Sequence, residues 1–191
     1  IHSEYNNLND SVHWLDEIYS IHKDKDGRAT REERLRKNLE KGLYLGVVAG
    51  SDMHRFTMGH LCKQPGTRWW YGSRGGWDQT AGLQATFASN LTRKDLYNGM
   101  KNRHTFGTSG ARMILFLSCK NSPMGSQIKL EQGKKPTFDI KVGGTADLKN
   151  VTVCRFNGET WTEPMSENIK RGNDRFMGTW EDSEIDASGI Y

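Results

Sequence analysis

The sequence predicts an α/β segment followed by an all-β segment, and three observations carry that expectation. LEKGLYLGVVAG (39–50) reads as a helix end, a Gly turn and a short apolar strand, which is α/β logic. GLQATFA (82–88) repeats the theme, a strand-like run followed by a helix-like one. Beyond about residue 110 the texture changes: MILFLSC (113–119), KPTFDIKVGG (135–144), NVTVCRFNG (150–158) and RFMGTWED (175–182) are separated by Gly, Asn, Pro and Asp. The expected division is therefore 1–110 and 111–191.

Taken in order, residues 11–22 place Val12, Leu15, Ile18 and Tyr19 near helical spacing, with Ser11 as a cap, so a helix is expected there. Asp-Lys-Asp-Gly at 24–27 ends it. A second helix fits residues 30–42, with Thr30 as N-cap, Glu33 as its capping-box partner and Gly42 as the stop. Leu45, Val47, Val48 and Ala49 then form an apolar run bounded by Gly46 and Gly50. Such a run suits a strand buried on both faces, as in a parallel sheet. Residues 55–81 mix Gly, Pro and polar residues with three tryptophans and a tyrosine. A loop that long is either a lid or substrate-facing wall, or an exposed loop packed by its own side chains. After the strand at 82–88, Asn90 and Thr92 signal a helix over 91–104, and HTFGTSGA reads as a turn. In the last part Phe138, Ile140 and Val142 alternate on one face, as do Val151, Val153 and Arg155. Asn157-Gly158 is the strongest turn signal, and the whole predicts an antiparallel β-sandwich. There is no internal repeat.

The bulk composition narrows the function classes. The 191 residues are 35% hydrophobic and 26% charged, too apolar for a disordered chain. Twenty-seven basic and 23 acidic residues leave a net charge of +4, interspersed without the basic stripe of a nucleic-acid binder. No stretch approaches the roughly 18 apolar residues of a membrane span. Three separated cysteines, Cys62, Cys119 and Cys154, form neither a metal-ligand spacing nor a disulfide framework. IHSEYNN and SGIY both read as though cut from the middle of a strand, so the chain is expected to be a piece of something longer.

The candidate chemistry lies in GSDMH (50–54). Asp52 and His54 follow directly on the apolar strand, and loops leaving the carboxyl ends of parallel strands are where sites form. A carboxylate and an imidazole are ligands for a divalent metal; the structural alternative is a turn cap and a surface histidine. His60, and His2 with Glu4, are further candidate ligands. Arg103 and His104 close a helix, where cations complement the dipole, and Arg103 is also a candidate substrate contact. Ser109 lacks a nucleophile elbow, and Gly72–Gly76 lacks the flanking strand and helix of a phosphate cradle.

The order of these pieces resembles the C-terminal part of the polymerase-and-histidinol-phosphatase (PHP) superfamily, in its uncharacterised branch with an appended β-sandwich. The resemblance rests on GSDMH (50–54), GLQATFA (82–88), LTRKDLY (91–97), NRHTFGTSG (102–110) and NSPMGS (121–126), and covers roughly residues 35–126. It implies the C-terminal portion of a distorted (β/α)7 TIM-like barrel with divalent metals (zinc, manganese or iron) at its strand ends. Asp52 and His54 then inherit a ligand role. The superfamily's early His-Xaa-His pair is absent from this chain, and Asn102 and His104 flank Arg103 where the branch often carries two arginines before Thr. The implied activity is hydrolysis, phosphoesterase-like, of a small-molecule or phosphoester substrate by metal-activated water. The alternative expectation is a non-catalytic module whose sandwich binds carbohydrate or a cell-surface partner, on the strength of Trp69, Trp70, Trp77, Trp161 and Trp180.

Overall fold

The computed structural model of the chain describes residues 12–19, 28–50, 82–185 and 188–191. The first unit is strand β1 (Leu15–Tyr19), helix α1 (Arg28–Glu40) and strand β2 (Gly46–Ala49), with β1 and β2 paired in parallel from Leu15↔Gly46 to Tyr19↔Ala49. The helix expected over 11–22 is thus a strand where it is described. Its apolar spacing fits either period over so short a run, and tertiary partners decide: β2 takes up the backbone, while α1 reaches the acidic side chains. Arg34 Nη2 lies 2.9 Å from Asp16 Oδ1, and Arg31 Nη1 lies 3.1 Å from Glu17 Oε2. Helix α1 begins two residues before the expected cap at Thr30 and ends before Gly42, whose φ of 83° is the left-handed stop that Gly supplies.

Next come β3 (Leu83–Thr86), α2 (Arg93–Lys101) and β4 (Thr105–Thr108), with β3 and β4 antiparallel. Thr92 caps α2 as expected, its side chain accepting from the Asp95 amide at 3.1 Å. Strand β4 occupies the stretch expected to be only a turn. Its TFGT sequence is short, but Thr105, Phe106 and Thr108 are buried and Thr105 Oγ1 donates to the Val47 carbonyl at 2.8 Å, so packing on β2 fixes it.

The remainder is β5 (Ile114–Cys119), β6 (Ser122–Pro123), β7 (Thr137–Gly143), β8 (Asn150–Phe156), β9 (Trp161–Asn168) and β10 (Arg175–Glu181). They form a four-stranded antiparallel sheet in the order β10-β7-β5-β6 and a two-stranded sheet β8-β9. Phe138, Ile140 and Val142 alternate inward along β7 and meet Val153 from β8 and Cys119 from β5. Partly buried side chains, among them Leu115, Leu117, Met165, Phe176 and Trp180, pack around this core, whose fully buried members such as Phe138 and Ile140 contribute about 1.5–3 kcal/mol each. The β5–β6 turn uses Lys120 and Asn121 with φ of 49° and 62°, the two positive angles that match the twist of a tight hairpin. The β8–β9 turn is built on Asn157, whose Oδ1 accepts from the amides of Glu159 and Thr160 at 3.0 and 2.9 Å.

An α/β barrel is not what these elements make. A barrel needs each strand hydrogen-bonded to two neighbours until the sheet closes. Here β1–β2 and β3–β4 are separate two-stranded sheets, β3 and β4 run antiparallel, and strands outnumber helices ten to two among the described residues. The barrel that the family resemblance implied is therefore overturned, the strands and helices of this half forming two small open units among the described residues.

Candidate functional site

The carboxyl end of β2 is anchored on two sides. Gly50 donates its amide to the Tyr19 carbonyl at the end of β1 (2.9 Å) and accepts from the Gly82 amide at the start of β3 (3.0 Å). A Cβ on Gly82 would sit 2.7 Å from the Gly50 carbonyl oxygen and 2.9 Å from the Tyr19 ring, so only glycine fits this crossing. On the adjoining layer β4 lies against β2 through Gly107, where a Cβ would fall 2.9 Å from that of Ala49 and 3.0 Å from the Val48 carbonyl carbon. The register Leu83↔Thr108 brings the end of β4 beside the start of β3. The Thr108 hydroxyl then ties the following turn, donating to the Ala111 carbonyl (2.8 Å) and accepting from the Gly110 amide (3.2 Å). The ends of β1, β2 and β4 and the start of β3 therefore gather at one point. Residues 51–81 leave the described fold at Gly50 and rejoin it at Gly82.

Asp52 and His54 follow Gly50 by two and four positions in sequence. They, together with His60, His2 and Glu4, lie outside the described residues. Among the described residues no group of three or more His, Cys, Asp or Glu could hold a metal ion. None of the helices described is long and apolar enough to cross a membrane.

Arg103, the remaining expected site residue, stands at the other end of β2. A Cβ on Gly46, the first residue of β2, would lie 2.8 Å from that of Arg103. Arg103 closes α2 in a left-handed conformation (φ 64°), its amide bonded to the Met100 carbonyl and the next amide, of His104, to Gly99, both at 2.9 Å. That pair of bonds is a Schellman closure, in which Gly is the usual residue. The side chain accounts for the exception. Its Nε donates to the Tyr44 carbonyl at 2.5 Å, and its guanidinium stands 3.8 Å from the centre of the Tyr44 ring. The Tyr44 hydroxyl in turn donates to the Gly125 carbonyl. Burial pushes the Tyr44 phenol above its ordinary value, with the Arg103 charge pulling partly the other way. Arg103 thus binds the entry of β2, the exit of α2 and the turn after β6 into one junction.

One charged cluster escaped the sequence reading. Arg155 (6% exposed) and Asp182 (1% exposed) meet inside the β-rich half, with Arg155 Nη1 at 2.7 and 2.8 Å from the two Asp182 oxygens. The Tyr191 hydroxyl donates to Asp182 at 2.8 Å, and the Glu184 amide does so at 3.2 Å. Burial alone would raise the Asp182 carboxyl. The bonds from Arg155, Tyr191 and the Glu184 amide outweigh it and hold the group below the usual carboxylate range. Burial, reinforced by the bond to Asp182, pushes the Tyr191 phenol above its ordinary value. The signal was Arg155 itself, a charge on the inward face of Val151 and Val153, which demands a buried partner.

Residues 40–119 match the model of a protein family described as "Protein of unknown function (DUF3604)". That span runs from the end of α1 through β5 and takes in the Gly50 junction and Arg103. The chain is also similar to an uncharacterized protein of Chlamydia pneumoniae, with 32% identity over 141 residues. Those residues are 71% of this chain but 20% of the relative, so the chain spans about a fifth of that protein's length. No solved structure matches it.

Proposed function

We propose that this chain is part of a metal-dependent hydrolase that acts on phosphoesters, with Asp52 and His54 among its metal ligands. The observation that supports this reading is the junction at Gly50. The ends of two parallel strands and of β4 meet there, and the Asp-Xaa-His motif begins two residues later. Rigid strand ends are where ligands can be held to the tolerance that metal chemistry needs.

The donor types suit zinc, manganese or iron, but two donors fall short of the three that an open catalytic zinc site uses. The reading therefore assigns the remaining ligands to residues outside those described, His2, Glu4 and His60 being this chain's own candidates. A bound divalent metal would supply Lewis acidity toward water and toward the phosphoryl oxygens. Asp52 would bring the negative charge that holds a cation, and His54 a directed lone pair that sets its position.

Elemental analysis of the purified full-length protein, native and as Asp52→Asn and His54→Ala, tests the reading. Stoichiometric zinc, manganese or iron that falls in both variants together with phosphoesterase activity is the expected result. Metal content that is nil throughout, or unchanged by both substitutions, would sink it. The binding-module alternative gains no specific support from the described tryptophans. Trp180 is stacked on Phe138 at 5.7 Å within the core, and Trp161 donates to Glu40 of α1 at 2.8 Å with Arg36 over its ring.

A further inference from the structure

The four-stranded sheet ends in β10, whose pairing partner among the described residues is β7 alone. Its outer edge is regular. The register with β7 runs unbroken from Arg175↔Gly143 to Glu181↔Thr137, and RFMGTWE contains neither proline nor lysine. Natural edge strands are usually blunted by a bulge, a proline, a lysine or an inward-pointing charge, and β10 carries none of these. Its inward side chains are Phe176, Gly178 and Trp180, and its outward ones are Arg175, Met177, Thr179 and Glu181, all exposed. The Arg175 side chain is 83% exposed, with a 3.7 Å contact to the adjacent Asp174, and Met177 is 74% exposed.

The seven residues are self-complementary about Gly178. Antiparallel pairing with an identical strand places Arg175 opposite Glu181 at both ends and Met177 opposite Thr179. On the inner face it sets Phe176 opposite Trp180, with Gly178 opposite itself. Directly opposed residues share a face, so each end gains an opposite-charge pair on the outer face, and the inner face gains a Phe176–Trp180 pair on either side of Gly178. One two-fold axis through Gly178 satisfies both charges at once, the self-matching that an isologous interface requires. A strand of unrelated sequence would have no reason to carry opposite charges in this mirrored order.

We propose that β10 is a self-association edge, joining two copies of the protein into a dimer with one continuous eight-stranded sheet. Sedimentation of the full-length protein measures the dimer constant, and far-UV circular dichroism confirms the fold of each variant. Arg175→Glu and Glu181→Arg each oppose like charges at both ends, and each should weaken the dimer about tenfold or more. The double variant Arg175→Glu/Glu181→Arg should restore wild-type association. Met177→Glu, which adds a charge to the edge at an exposed position, should also weaken it. A protein that stays monomeric at about 100 μM, single reversals without effect, or a double swap that fails to rescue would each overturn the proposal.

Discussion

Arg103 shows how a single side chain can reverse a local preference. A left-handed non-glycine residue costs about 1–2 kcal/mol, yet the position holds arginine because its guanidinium clasps Tyr44 across 59 residues of sequence. Arg103→Ala keeps the backbone cost and loses the clasp, and it should destabilise by about 1–3 kcal/mol in denaturant unfolding. Arg103→Gly also loses the clasp but relieves the strain, so it should lie about 1 kcal/mol above the alanine variant. The reverse order would show that the left-handed backbone at this position stores no strain for glycine to relieve. Asp182 is the other decisive residue. Asp182→Asn leaves the buried Arg155 with the exposed Glu184 carboxylate, 3.3 Å from its Nη2, as its remaining counter-charge, and a loss of about 3 kcal/mol is expected. The folded carboxyl lies below its unfolded value, so the unfolded chain binds the extra proton between the two. Its stabilisation is therefore complete above about pH 4 and is lost as pH falls through the folded value. The melting temperature should fall from pH 5 to pH 2.5 in the native protein and change less in Asp182→Asn.

At the scale of elements, the two units of the first half depend on contacts too close for any side chain. Gly107 lets β4 lie directly on β2, and Gly82 lets β3 begin against Gly50. Gly107→Val would push β4 from β2 and cost about 1–3 kcal/mol or more. Hydrogen exchange at Phe106 and Thr108 should rise in that variant while β7 and β8 stay protected. Equal loss of protection in all strands would mean that β4 is not separately anchored. Helix α2 was legible in the sequence because its signals are local: Thr92 at the cap, Asp95 in the first turn and Lys101 in the last. Strands β1 and β4 were not, because five and four residues carry too little periodicity to distinguish a strand from a helix or a turn. Their state is set by β2, about 30 and 60 residues away in sequence.

Among the described residues, contacts between the α/β half and the β-rich half include three that are specific. Trp161 meets α1 through Glu40 and Arg36, Phe87 packs on Phe116 at 4.9 Å, and Tyr44 bonds to the Gly125 carbonyl. Such contacts couple the halves, and thermal unfolding followed by tryptophan fluorescence and by far-UV circular dichroism should give coincident transitions. Two separated transitions would mean that the halves fold independently.

By itself the sequence determined the features that have a short-range cause. The inward alternation of Phe138, Ile140 and Val142, the cap at Thr92, the stop at Gly42 and the buried strand ending at Gly50 all follow from neighbours within a few residues. It also marked Asp52 and His54 as the place to look for chemistry, since residue type and position after a strand are local facts. Only the tertiary structure decided that Leu15–Tyr19 is a strand, that the sheets stay open, that Arg155 answers Asp182 and that Arg103 serves Tyr44. Those outcomes depend on which distant surfaces meet, and a pairing across tens of residues is set by packing and desolvation rather than by any pattern within the segment itself.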